Sequence, residues 1–159
     1  MQRTKIHLVA IGICASLLLF VPLVKDVAAI EYFGELLNCG NDALEHGQYS
    51  KASFCFGEVL QSYPDNTDAL MGKAYALIQL QSYDQSITYL DKVLKIYPNY
   101  FDAIFYKAVV LSTLGKQKEA QFYYDQIKKI APNFPLTETD LKITHGRFEV
   151  PYHTAISHG

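Results

Sequence analysis

Small and apolar residues recur along the middle of the chain at the i, i+4, i+7 spacing of one helix face. The triplets are Leu36, Gly40, Ala43, then Leu70, Ala74, Leu77, then Ile104, Ala108, Leu111. A second set follows each of them: Ala52, Phe56, Val59, then Ser86, Leu90, Val93, then Ala120, Tyr124, Ile127. The middle member of the first set is always Gly or Ala, as expected where a partner helix must come close. Between the two sets lie Gly47-Gln48-Tyr49, Gln81-Ser82-Tyr83 and Gly115-Lys116-Gln117, short turns with Gly in two of three. The pattern predicts six helices in three antiparallel pairs. Pro64, Pro98 and Pro132, spaced by 34 residues, close the pairs, because proline lacks an N–H and clashes with the preceding turn.

A fixed period of 34 residues is the mark of a stacked helix–turn–helix repeat. Over Phe33–Phe134, about two-thirds of the chain, the sequence resembles the tetratricopeptide repeat family. The Gly/Ala, Ala, Phe/Tyr and Pro columns match, with Ser86 and Leu90 as mild departures. The column that usually opens with Trp holds Leu36, Leu70 and Ile104, and the next, usually Leu, holds Cys39, Lys73 and Lys107. The resemblance implies an all-α fold, an α-solenoid of three repeats over 33–66, 67–100 and 101–134, that binds partners and seldom does chemistry. Residues 135–159 form a C-terminal tail, too broken by Gly146 and Pro151 for a long helix. Phe148, Val150 and Tyr152 alternate there with polar or turn residues, which favours an extended segment.

The first 29 residues read differently. Ile6–Val24 is interrupted only by His7, Ser16 and Pro22 and follows Arg3 and Lys5. As a helix it spans about 28 Å, close to the apolar thickness of a bilayer. The basic start keeps the N-terminus in the cytoplasm and sends everything after Val24 across. Val27-Ala28-Ala29 offers a small-residue cleavage site, whereas the run is longer than a usual signal core and Lys25-Asp26 is unusual before a cut. An uncleaved membrane anchor and a cleaved signal peptide both stay open. Either places the repeats outside the cytoplasm, membrane-anchored or secreted.

Composition removes several functions. The net charge is −2 and the lysines are scattered, without the basic footprint of a nucleic-acid binder. There is no glycine-rich phosphate loop. His46, in a predicted turn, is the only histidine among the repeats, and His145, His153 and His158 in the tail have no metal-pair spacing. The expectation is a chain that is not an enzyme and uses no cofactor or metal. Cys39 and Cys55 are placed symmetrically about Gly47, level with each other on two antiparallel helices. They are either bridged in an oxidising compartment or two buried free thiols.

A solenoid of this kind turns its first helices toward a concave face, where partners bind. Those helices carry a second stripe: Leu37, Asn41, Leu44, then Met71, Tyr75, Ile78, then Phe105, Val109, Ser112. Most of it is apolar, where a merely solvated face is polar. The stripe is therefore expected to be an open groove for a protein or peptide partner with an apolar or aromatic segment. The alternative is that the chain itself fills it. The heat-shock chaperone branch of the family grips a carboxylate through Lys, Asn and Arg columns, which here hold Leu37, Asn41, Gly72, Asp102 and Tyr106. Only Asn41 suits that task. A second function class is a structural part whose uncapped repeats stack end to end.

Overall fold

The computed structural model describes residues 31–134 of the 159-residue chain. The predicted anchor or signal over 1–29 and the tail over 135–159 lie outside them. Leu36 and Leu37 mark the division between two compact units. Of the first unit only residues 31–36 are described, and the core and turns belong to the second.

Six helices are present among the described residues: α1 (residues 31–45), α2 (Tyr49–Ser62), α3 (Thr67–Gln79), α4 (Tyr83–Ile96), α5 (Phe101–Thr113) and α6 (Gln117–Ile130). Each odd helix packs beside the even helix that follows it, and α4 also packs on α5, giving an all-α helix–turn–helix solenoid. None of the described helices is long and apolar enough to cross a membrane.

The turns repeat as closely as the helices. After α1, α3 and α5 the amides of Gln48, Ser82 and Lys116 bond to the carbonyls of Ala43, Leu77 and Leu111, at 2.7, 2.8 and 2.9 Å. The preceding residue in each turn has a positive φ: Gly47 at 66°, Gln81 at 59° and Gly115 at 76°. This is the glycine-favouring helix end that satisfies the last carbonyls. At the start of α3 the Asn66 side chain accepts a 2.8 Å bond from the amide of Ala69, a cap that Tyr100 does not supply to α5.

The core consists of the two periodic sets. Ala52, Phe56, Val59, Leu70, Ala74, Leu90, Val93, Ile104, Ala108, Leu111, Ala120 and Ile127 are buried. Phe56 stands between Gly40 and Gly72, and a methyl group at either glycine would collide with its ring. Ser86 is the one polar core residue among those described, and its hydroxyl donates to the carbonyl of Tyr83 at 2.7 Å. That bond removes the penalty of burying the hydroxyl.

Candidate interaction surface

The second stripe of the first helices is not open along its whole length. Asn41 is exposed, and Leu37, Leu44 and Tyr75 are half-buried. Met71, Ile78, Phe105 and Val109 are buried, Val109 completely. The expectation of a continuous exposed groove is corrected at these four positions, which belong to the core. An i, i+4 pattern reports that a helix face is apolar, not what covers it. Ser112, at the end of the stripe, is half-buried.

Aromatic rings line this region. Tyr75 lies 6.5 Å from Tyr49 and 5.9 Å from Tyr106, centroid to centroid, so three rings cross from α2 through α3 to α5. Farther along, Phe105 stacks on Phe101 and meets Phe134 edge-on at 5.7 Å. Such offset and edge-on contacts add to what burial alone contributes. Burial, and to a lesser degree the nearby Tyr49 hydroxyl, pushes the Tyr75 phenol above its ordinary value, opposed by a hydrogen bond with Gln79. Tyr100 is pushed up by burial and by the carboxylates of Asp102 and Asp68. Burial also raises Asp102, in the first turn of α5.

The columns of the chaperone clamp therefore hold half-buried Leu37, exposed Asn41, buried Gly72, half-buried Asp102 and buried Tyr106. None of these side chains offers a positive charge.

A second set of side chains, not foreseen as a unit, holds the repeats together on another face. Lys107 pairs with Asp91 of the preceding repeat and lies 4.6 Å from the Tyr123 ring centroid. Lys73 lies 5.2 Å from Tyr89. In the first repeat the same two columns hold Cys39 and Cys55, joined by a disulfide with Cα atoms 6.0 Å apart. Burial acts to lower Lys107, but Asp91 and the Tyr123 hydroxyl outweigh it and hold the ammonium above its ordinary value. The signal was available in the sequence: Lys stands twice where the repeat pattern usually has Leu, one repeat apart.

Chemistry is thin elsewhere. His46 is exposed, with Nδ1 donating to the Asp42 carbonyl at 2.8 Å. Among the described residues no group of three or more His, Cys, Asp or Glu stands together to hold a metal ion.

Comparison with known proteins agrees with this architecture. Two models of the tetratricopeptide repeat match, one over residues 37–101 and one over 89–122. A comparison with curated proteins returns no match. Among solved structures, MamA (residues 41 to the end) from Desulfovibrio magneticus RS-1 is 27% identical with a TM-score of 0.61. That match covers 64% of this chain and 57% of the MamA chain, so the present chain aligns with little more than half of it. The first repeat domain of Spaghetti (RPAP3), bound to the HSP90 peptide SRMEEVD, is 20% identical with a TM-score of 0.64, covering 70% of this chain and 88% of its own. The TPR2B domain of yeast Sti1, in complex with an Hsp70 peptide, is 19% identical with a TM-score of 0.58, covering 62% and 78%. With the helix pairs, the turns and the two family matches in agreement, residues 37–122 of this chain belong to the tetratricopeptide repeat family.

Proposed function

We propose that this chain is a non-catalytic scaffold that binds an apolar or aromatic segment of a partner protein, and that it works outside the cytoplasm. The observation that carries the binding reading is the open part of the stripe. Leu37, Leu44 and Tyr75 are apolar or aromatic, only half-buried, and flank exposed Asn41. Half-buried apolar side chains around a polar one make a small docking surface that gains from a partner's apolar groups. The peptide complexes of RPAP3 and Sti1 support peptide capture as a use of this fold. An acidic peptide such as SRMEEVD suits this chain poorly, because Asp102 occupies a clamp column and no cation stands among the others. A partner segment laid across Tyr75, with its aromatic or aliphatic side chains toward Leu37 and Leu44, fits better.

The extracytoplasmic location rests on the basic start and the apolar run Ile6–Val24, and it gains support from the Cys39–Cys55 disulfide. Disulfides persist outside the reducing cytosol. If residues 1–29 stay attached, they supply a membrane contact as well. Nucleic acid is not a partner in this reading, and no cofactor is needed.

End-to-end stacking of copies is less well supported. A stacked neighbour would continue the lysine ladder only by bringing a Lys to Asp125, the counterpart of Asp91, and its first repeat has Cys39 in that column. The experiment is capture of the partner from membranes by the full-length protein, with Leu37→Glu/Leu44→Glu as the variant. Loss of capture with unchanged helical circular dichroism supports the reading. Equal capture by a folded variant overturns it. A reporter fused after Gly159 that is active only in the cytoplasm would remove the location.

A further inference from the structure

The turn that closes each repeat is built identically three times. The amides of Tyr63, Tyr97 and Ala131 bond back to Val59, Val93 and Ile127. The amides of Asn66, Tyr100 and Phe134 then bond to the carbonyls of Tyr63, Tyr97 and Ala131, each at 3.1 Å. In the first two cases the next residue begins α3 or α5. Phe134 therefore delivers the chain to the place where another first helix would start. Its ring sits edge-on to Phe101 and Phe105, at 5.0 and 5.7 Å.

Burial along the stripe runs against what a bare array should show. A terminal unit has one neighbour, so its residues should be more open than those of the middle unit. Yet the column Asn41, Tyr75, Val109 passes from exposed through half-buried to fully buried. Leu37, Met71, Phe105 follow the same course, from half-buried to 5% and 3% exposed. Tyr75 shows what a following unit contributes, since its ring meets Tyr106 of the next first helix. Val109 is the same column one repeat later, and it is more deeply covered than Tyr75.

We propose that the chain's own C-terminal segment, residues 135–159, lies against the free flank of α5, where the first helix of a fourth repeat would stand. It caps the solenoid and closes the stripe at the third repeat. Length permits this: 25 residues follow Phe134, and at roughly 3.3 Å each an extended chain reaches well beyond the ~20 Å of α5. The segment is not a fourth repeat in register, because the core columns would then hold Glu138, Lys142 and His145. Its apolar side chains, Phe148, Val150 and Tyr152 among them, supply the covering instead. The rival segment 1–29 joins the chain at α1, the end where the stripe is open. The inference holds whether or not the groove takes an external partner. It confines any such partner to the first two repeats.

The test uses the full chain with Cys14→Ser, so that a cysteine placed at Val109 is the one free thiol beside the Cys39–Cys55 bridge. Maleimide labelling of Val109→Cys should be slow. It should speed up by at least about tenfold when Phe148→Asp, Val150→Asp and Tyr152→Asp are added, as local cover is lost. Asn41→Cys should label equally fast in both backgrounds. An unchanged Val109→Cys rate in a variant that stays helical overturns the proposal. So does faster labelling on dilution, which would make a second copy the cover, or faster labelling on Leu17→Asp/Leu18→Asp, which would make it the N-terminal segment. Should Val109→Cys fail to fold, hydrogen exchange over residues 105–111 with the native Val109 decides. It must quicken with the three tail substitutions, and unchanged protection refutes the cap.

Discussion

Lys107 holds its ammonium 4.6 Å from the ring centroid of Tyr123 while also pairing with Asp91 of the preceding repeat, so one side chain ties three helices. The lysine is nearly buried, at 12% side-chain exposure, and Asp91 is half-exposed. A nearly buried cation is tolerated because both partners favour its charged form. Lys107→Met keeps the stem and removes the charge. It should cost about 1 kcal/mol, the sum expected of a partly shielded ion pair and a cation–π contact. Urea unfolding reads the loss, and a cycle with Tyr123→Leu should show coupling between the two. A variant as stable as the parent would mean that the stem alone matters.

The first repeat replaces that contact by a covalent one. With 16 residues between Cys39 and Cys55, the bridge should add about 3 kcal/mol by the chain-entropy estimate, a model-dependent figure. Cys39→Ser/Cys55→Ser should lower stability by that order, with the early loss confined to α1 and α2. Hydrogen exchange that quickens equally in all six helices would contradict a local clamp.

How much of this was legible in the sequence depends on what periodicity encodes. The columns through Leu70, Phe56, Leu90 and Ile127 mark the core because both helices of a pair must present apolar faces at the same spacing, and those residues are buried. The turns were legible through Pro64, Pro98 and Pro132 and through Gly47 and Gly115. Phe105 and Val109 were misread as open surface, because a second apolar face looks the same whether it meets solvent or another part of the chain. Lys107 escaped notice as a packing residue, since its place depends on two partners 16 residues away on either side in sequence.

Gln81 adopts φ of 59° where the sister turns have Gly47 and Gly115. A side chain in this region crowds the following carbonyl, at roughly 1–2 kcal/mol. Gln81→Gly should therefore stabilise the middle repeat, though by less than that figure, since glycine also loosens the unfolded chain. A raised thermal midpoint is the expected result. A lowered one would show that the Gln81 side chain makes a contact that outweighs the strain.

Leu90 and Phe105 test the core from two sides. Leu90 is fully buried in α4, and Leu90→Ala should cost ~2–5 kcal/mol through lost burial and the cavity left behind. Phe105→Glu should be worse, because it puts a carboxylate among Phe101, Tyr106 and Phe134. Near-native stability of Phe105→Glu would place that ring at the surface.

Asp102 gives the protein a predictable response to acid. Burial raises its carboxyl above the ordinary value of 3.8, so the unfolded chain gives up this proton at a lower pH than the folded one. Through the window between the two, rising pH favours the unfolded state, and the deficit persists at neutral pH. Opposing it, a carboxylate in the first turn of α5 interacts well with the helix dipole, an effect worth a few tenths of a kcal/mol to about 1 kcal/mol. Asp102→Asn removes both. If desolvation is the larger, the variant is more stable than the parent at neutral pH, and its advantage vanishes once the medium falls below the ordinary carboxylate range. Urea midpoints for both proteins, at neutral pH and at about pH 3, decide the matter. A variant that is less stable at neutral pH would show that the helix dipole outweighs burial at this position.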